Sequence, residues 1–177
     1  SLGVGNRSML LGAEIQNPVC KEDSIKLTFK ATNLDGQPVS VEGNYKLYPV
    51  VGGAKSEEVM KGTPAYTGTF VSNKETLLPG WTSVPSGEYL LVMSAKDDQG
   101  REVTGEEEVI LFSIKDKRPP VDKAIWYYAE NTSFDAAHPA VFYFGTSKKD
   151  AYVMMNLFSG NRMLESKVLR LSDSIER

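Results

Sequence analysis

Apolar and polar residues alternate in short stretches over most of residues 9–115. The clearest stretch is residues 24–31, where apolar side chains are separated by lysine or threonine; the apolar set is Ile25, Leu27, Phe29 and Ala31. Successive side chains of a strand point to opposite faces of its sheet, so this spacing predicts a strand with one buried and one solvated face. No sustained helical period competes with this pattern, and it therefore constrains the fold more than any other feature.

Seven short strands are predicted from the alternation and from the turn residues between the stretches. They cover residues 11–16, 24–31, 39–50, 57–60, 66–71, 88–95 and 103–114. Gly43 interrupts the third strand and predicts a bulge. Trp81, in an apolar crossing over residues 77–81, is expected to fill one end of the core. Seven strands with regularly spaced turns predict an all-β fold, an immunoglobulin/fibronectin III-like β-sandwich.

Residues 88–114 form the predicted central hairpin. Residues 88–95 are apolar on both faces, as is typical of a strand with neighbours on both sides, and residues 97–100 supply a turn. Hydrophobicity stops at the charged, proline-containing segment 115–120. We therefore predict a loose leader over residues 1–8, a β-sandwich over 9–115, a linker over 116–123 and a second unit over 124–177.

The second unit is predicted to be an incomplete β-sandwich. Strands are expected at residues 125–128, 140–144, 151–158 and 163–171, although the spacing of Leu164, Val168 and Leu171 also suits a helix. Four strands leave one sheet face uncovered, and about 60 residues is marginal even for a complete domain. We expect residues 124–177 to be the N-terminal part of a second sandwich, whose apolar face packs on the first unit or on a second copy in a homo-oligomer.

Composition and charge exclude several classes of protein. The 177 residues carry a formal net charge of −3, which argues against a nucleic-acid-binding surface. No apolar run approaches the about 20 residues that a membrane-spanning helix needs. The one cysteine, Cys20, excludes a disulfide within the chain. The first residue is Ser1 and no signal peptide is visible, as expected of a mature, trimmed or excised segment.

We assign no catalytic, cofactor-binding or metal-binding residues and expect that the protein is not an enzyme. Nucleophilic catalysis needs a base beside the nucleophile, but the single histidine, His138, precedes Pro139 in a predicted turn. Cys20 lacks the cysteine or histidine partners of a zinc site. We expect Cys20 to have a structural role, as a small, partly buried residue near the end of a strand. Asp97 and Asp98 could bind calcium at a hairpin tip, although turn chemistry explains them as well.

Three further features leave a choice between a structural and a binding role. Residues 106–108 are all glutamate and are expected to face solvent or protect a sheet edge. Residues 131–133 form an N-glycosylation sequon, and residues 23–25 and 173–175 match the short Asp-Ser-apolar acceptor of bacterial O-glycosylation. Six aromatic residues could stack on sugars, but at alternating spacing they favour a core: Trp126, Tyr127, Tyr128, Phe142, Tyr143 and Phe144.

Several runs of residues resemble the macroglobulin domains of large bacterial alpha-2-macroglobulin-like proteins. Residues 85–103 resemble the penultimate and last strands of such a domain, and residues 111–113 with 116–121 resemble the junction to the next one. Residues 144–153, 159–160 and 171–173 resemble the opening strands of that next domain. The likeness covers most of residues 10–177 and rests on turns and strands.

The resemblance implies a structural link in a string of macroglobulin domains, without a cofactor. Proteins of this family trap proteases: a bait segment is cut, the molecule rearranges and, in many members, a thioester captures the attacker. Cys20 is followed by Lys-Glu-Asp rather than by the Gly-Glu-Gln of the thioester motif, so no thioester residue is assigned. The implied partners are neighbouring macroglobulin domains and host or environmental proteases, and the implied location is extracytoplasmic, in the periplasm or at the surface of a Gram-negative bacterium.

Two alternatives belong to other functional classes. The same sandwich could be a cell-surface carbohydrate-binding or adhesion module, or an accessory domain of a secreted enzyme. An exposed row of aromatic side chains would favour the first alternative, and an adjoining catalytic domain would favour the second.

Overall fold

A computed structural model describes residues 8–131, 133, 135 and 137–177. They form two compact units, which divide between Ser113 and Ile114. The elements of the first unit are β1 Met9–Glu14, β2 Val19–Cys20, β3 Lys26–Asn33, β4 Glu42–Pro49, α1 Ser56–Val59, β5 Tyr66–Val71, β6 Glu75–Leu77, a 3-10 helix Pro79–Ser83, β7 Gly87–Lys96 and β8 Glu102–Phe112.

The strands of the first unit build two sheets that share one core. One sheet has the order β1-β3-β6, and the other has the order β2-β8-β7-β4-β5. β2 runs parallel to β8, whereas the remaining neighbours pair antiparallel. Both sheets contribute buried side chains to the same hydrophobic cluster. This confirms the predicted all-β sandwich, in which two layers bury their apolar faces against each other.

The inward face of β3 shows how the alternation becomes a core. The residues predicted to point inward are all buried, three of them in β3 and Ile25 just before it: Ile25, Leu27, Phe29 and Ala31. The ring of Phe29 stacks on Tyr45 at a centroid distance of 5.3 Å and on Phe70 at 4.4 Å, and both partners lie in the opposite sheet. Aromatic stacking of this kind adds to the gain from buried area.

The predicted central strand and the predicted aromatic plug are both confirmed. β7 lies between β4 and β8, with Leu91 opposite both Leu47 and Glu107. The side chain of Leu91 is 0% exposed, and so is Trp81 in the 3-10 helix. The face of β7 that carries Tyr89, Leu91 and Met93 is buried, whereas Leu90 and Val92 on its other face are half-buried.

Glycine allows close approach at two points, and the predicted bulge at Gly43 is wrong. The register of β4 with β5 continues through Gly43 without a shift, and the register with β7 begins at Gly43 opposite Ala95. A Cβ atom there would lie 2.5 Å from the Ser94 carbonyl oxygen, and one on Gly105 would lie 2.4 Å from the Leu11 carbonyl oxygen. These residues are therefore glycine because the backbone or ring of a neighbour occupies the space of a side chain.

The structure of the first unit differs from the sequence predictions in a few other places. Residues 57–60 were expected to form a strand, but α1 Ser56–Val59 is a single helical turn with Glu57 and Glu58 in its first turn, where acidic side chains favour a helix. The short strands β2 and β6 were not predicted. Residues 1–7 of the predicted leader lie outside the described residues, whereas Ser8 is hydrogen-bonded to the β7–β8 turn.

The second unit contains two separate sheets. Its strands are β9 Trp126–Ala129, β10 Phe142–Thr146, β11 Ala151–Ser159, β12 Arg162–Leu171 and β13 Ser174–Glu176. β9, β10 and β13 form a sheet of order β13-β10-β9, and β11 pairs with β12 in a long antiparallel hairpin. Residues 163–171 are thus strand rather than helix, and β13 was not predicted.

The β11–β12 hairpin presents apolar side chains to solvent. Five large apolar residues on one face are 52–67% exposed: Tyr152, Met154, Phe158, Met163 and Val168. One polar pair interrupts them, in which the Ser166 hydroxyl donates to the Asn156 side-chain oxygen at 2.8 Å. A two-stranded hairpin is marginal in water, and contiguous exposed apolar surface is typical of an interaction site.

Candidate functional site

Asp97 organises the turn between the two central strands. One carboxylate oxygen accepts the amides of Gln99 and Arg101, both at 2.9 Å. The other accepts the Arg101 guanidinium Nε–H at 2.9 Å and the Ser8 hydroxyl at 2.8 Å. Gly100 closes the turn at φ +74°, which glycine adopts without strain. The Asp97 side chain thereby joins the residue before β1 to the central hairpin.

The environment of Asp97 favours its charged form. Burial raises its pKa, but hydrogen bonds from the Arg101 amide, the Ser8 hydroxyl, the Gln99 amide and the Arg101 guanidinium outweigh this effect and lower the pKa from 3.8 to about 2. Both oxygens are therefore engaged by protein donors, which favours the turn role over the calcium alternative. Within the described ranges, no group of three or more His, Cys, Asp or Glu residues is placed to hold a metal ion.

The Asp97 hydrogen bonds predict a specific acid sensitivity. Because the folded-state pKa lies below the unfolded value of 3.8, the stabilisation is present above about pH 4 and is lost as the pH falls through about 2. We expect Asp97→Asn to lower the melting temperature by several degrees at neutral pH and to differ little from the wild type near pH 2. Thermal melts followed by circular dichroism over this pH range measure the difference. The control is the exposed neighbour in Asp98→Asn, and an equal loss in both variants, or a pH-independent gap, would contradict the role of Asp97.

Cys20 is a buried thiol rather than an exposed nucleophile. It lies in β2, is 5% exposed, and its Sγ–H donates to a Glu22 carboxylate oxygen at 3.3 Å. Burial raises the pKa of the Cys20 thiol to about 11, with a further contribution from the nearby carboxylates of Glu22 and Asp23. The thiol is therefore protonated at neutral pH, and a protonated thiol is neither a nucleophile nor a metal ligand.

His138 lies in an exposed turn, as the sequence predicts. Its side chain is 79% exposed, and Nδ1 lies 3.1 Å from Asp135 Oδ1. The same oxygen accepts the amides of Ala137 and His138, and these hydrogen bonds lower the pKa of Asp135. The arrangement is an aspartate-stabilised turn. Cys20 belongs to the first unit and His138 to the second.

The aromatic residues of the second unit divide between a core and a surface. Trp126 and Tyr143 are buried, in line with the core interpretation. Tyr127 is 65% exposed and Phe142 is 38% exposed, and Phe142 lies 6.2 Å from Phe144 between ring centroids. Tyr127 pairs with Phe144 across β9 and β10, so the three residues share one face of that sheet. The exposed face could not be told from the buried one by sequence, because both carry aromatic residues.

The modification candidates differ in accessibility. Ser24 is exposed just before β3, whereas Ser174 is half-buried in β13. In the sequon, Asn131 uses its side-chain amide to contact the carbonyls of Ser133 and Pro139, at 3.1 Å and 3.3 Å, and Thr132 lies outside the described residues. Of the glutamates at 106–108, the first and third are exposed and Glu107 is half-buried.

Comparisons with known proteins give one structural likeness. No protein-family model matches the chain, and no curated protein matches it. The native conformation of E. coli alpha-2-macroglobulin, determined by cryo-EM, is similar over 96% of this chain with 14% sequence identity and a TM-score of 0.42. The chain spans 14% of the length of that protein. A TM-score of this size does not establish a common fold. Separately, no helix among the described residues is long and apolar enough to cross a membrane.

Proposed function

We propose that this chain is a structural, non-enzymatic macroglobulin-like element of a bacterial alpha-2-macroglobulin-like protein that traps proteases. The proposal rests mainly on where the family-like residues lie. Residues 85–103 resemble the penultimate and last strands of a macroglobulin domain, and they form β7, its turn and the start of β8, which are the last two strands of the first unit. The segment that resembles the last two strands of a macroglobulin domain also forms the last two strands of the first unit, and this agreement supports the family assignment.

The second unit offers a surface suited to a scaffold role. The exposed apolar face of the β11–β12 hairpin needs a cover, and a neighbouring macroglobulin domain would supply one. A string of sandwiches held together by such contacts transmits a rearrangement from one domain to the next. We place the protein outside the cytoplasm, in the periplasm or at the surface of a Gram-negative bacterium, since proteases from a host or from the environment are met there.

The test of this function uses the full-length gene product and trypsin. A trapped protease is hidden from large substrates but still reached by small ones, so we expect preincubation to suppress the cleavage of casein while sparing a small chromogenic peptide. The 177-residue chain alone, as a scaffold element, is expected to suppress neither reaction. Equal inhibition of both substrates would indicate an active-site inhibitor, and no inhibition of either would overturn the trapping function.

A second function, carbohydrate binding, is favoured by one observation. The outer face of β9 and β10 carries Tyr127, Phe142 and Phe144, and such rings stack on the apolar faces of sugars. Under this alternative, Tyr127→Ala would abolish binding on an array of bacterial and plant polysaccharides while the melting temperature stays unchanged. The absence of any saturable glycan binding by the wild type would remove this alternative.

A further inference from the structure

β5 is an edge strand whose outer main-chain groups have no partner among the described residues. Its neighbour in the five-stranded sheet is β4, and no strand follows it in the sheet order. Just beyond β5, the Ser72 amide donates to the Val41 carbonyl at 2.9 Å. Bonded and non-bonded positions alternate along an antiparallel pair. Counting back from Ser72 through an unbroken register, the positions that direct their N–H and C=O groups away from β4 are Thr67, Thr69 and Val71.

The other sheet edges of the first unit are short or covered. β2 has two residues and β6 has three. β1 lies against β8, where a Cβ atom on Gly105 would be 2.4 Å from the Leu11 carbonyl oxygen. β5 has six residues and contains no charged residue, no proline and no register shift. Charged residues, prolines and bulges usually protect an edge strand from pairing with another strand. Because β5 lacks all three, its edge is available for a further strand.

The composition of β5 favours a well-ordered strand rather than one that frays at the sheet edge. Five of its six residues are β-branched or aromatic, which is typical of strands. The exception, Gly68, is required by packing, because a Cβ atom there would lie 2.5 Å from the Tyr45 hydroxyl oxygen. Tyr66 and Phe70 point inward, so the outer groups are held in place by the core behind them.

A groove lies beside the outward-facing half of β5. It has a volume of about 800 Å³, and its lining includes Thr69, Val71 and Leu77 as well as Glu42 and Lys74. Val71 is 36% exposed, so the groove offers apolar surface next to free main-chain groups. Peptide recognition by strand addition uses this combination, in which main-chain hydrogen bonds give affinity and adjoining pockets select side chains.

We propose that β5 is a docking edge for an extended peptide segment of another protein, which adds to the five-stranded sheet as a sixth strand. An extended backbone repeats its donors and acceptors every two residues, about 6.8 Å, and this matches the outward groups of Thr67, Thr69 and Val71. An apolar side chain on the outer face of the incoming segment lies against Val71. The inference is independent of protease trapping and holds for any function of the chain.

The first experiment measures binding of a defined peptide to the 177-residue chain. The probe is a fluorescein-labelled nonapeptide, Lys-Thr-Val-Thr-Leu-Thr-Val-Thr-Lys, and its control carries N-methyl groups at alternate amides, which removes donors but keeps every side chain. We expect saturable binding of the first with Kd on the order of 100 μM, and at least about tenfold weaker binding of the second. In amide hydrogen exchange, the amides of Thr67, Thr69 and Val71 should become protected on binding, whereas those of Gly68 and Phe70 already are.

The second experiment removes one outward donor from β5. Proline is tolerated at an edge position whose N–H faces solvent, so Thr69→Pro is expected to weaken binding at least about tenfold with little change in melting temperature, and Thr69→Val is expected to bind like the wild type. If Thr69→Pro does not fold, the comparison of the plain and N-methylated peptides still tests whether binding depends on main-chain hydrogen bonds.

Two results would overturn the proposal. One is the absence of saturable binding at about 1 mM peptide, or equal binding of the N-methylated control, because either would exclude main-chain recognition. The other is a dimer of the wild type that Thr69→Pro converts to a monomer, measured by light scattering, because the edge would then be occupied by a second copy rather than by a peptide.

Discussion

Replacing Leu91 by aspartate is expected to unfold the first unit. Leu91 is 0% exposed, lies at the centre of the five-stranded sheet and belongs to the core shared by both layers. The substitution loses about 1.5–3 kcal/mol of side-chain burial and adds the cost of a buried, unpaired charge, which is several kcal/mol more. The sum is comparable with the about 5–15 kcal/mol that stabilises a typical domain. Far-UV circular dichroism and a urea titration would show the loss of cooperative unfolding.

The matched control for this prediction is another leucine of the same unit. Leu77 lies in the edge strand β6 and is 62% exposed, so Leu77→Asp should change the free energy of unfolding by no more than about 0.5 kcal/mol. Leu27→Asp, at a buried position in the opposite sheet, should behave like Leu91→Asp. Similar urea midpoints for all three variants would mean that the inward faces are misassigned.

The strands with clear alternation were predictable because their cause is local. In β3, every second side chain meets the core and the others meet water, and a single sequence displays that directly. The central position of β7 was predicted from a continuous apolar run rather than from alternation, and the strand order agrees with it. In β3 the sequence period and the burial of the side chains have one origin, the pleat of the strand.

Short elements were not predictable, because a segment of two to four residues is too short to show a periodic pattern. α1 has four residues, β2 has two and β13 has three. The glycines at 43 and 105 illustrate a second limit. A glycine in a strand indicates either a bulge or a close approach, and the choice depends on whether a neighbour such as Ser94 or Leu11 occupies the space, which only the packed sheets determine.

The candidate sites show the same division between local and distant causes. The sequence placed Asp97 in a turn, and the Gln99 and Arg101 amides that bind its carboxylate are only two and four residues away. The Ser8 hydroxyl, which also donates to this carboxylate, is 89 residues from Asp97 in the sequence. No local sequence pattern predicts that contact. The free edge of β5 depends likewise on strand order, because nothing in residues 66–71 alone indicates which strand lies on either side.

Replacing Trp81 by alanine is the second large effect that we expect. The indole is 0% exposed, lies in the 3-10 helix Pro79–Ser83 and meets the Tyr45 ring edge-on at a centroid distance of 6.0 Å. Truncating a buried tryptophan removes its transfer free energy and leaves a cavity, at a cost of about 3–5 kcal/mol. Urea unfolding of the first unit, followed by circular dichroism, should show a lower midpoint with an unchanged slope.

Trp81→Phe separates loss of packing from loss of the indole itself. Phenylalanine keeps an aromatic ring against Tyr45 and leaves a smaller void, so we expect less than half of the loss seen with alanine. The chain has two tryptophans, and Trp126 belongs to the second unit, so the emission that disappears in Trp81→Phe is the part that reports on the first unit. If alanine and phenylalanine give equal midpoints, the ring at position 81 is not packed in the core, and the sandwich would have to close over its end in another way.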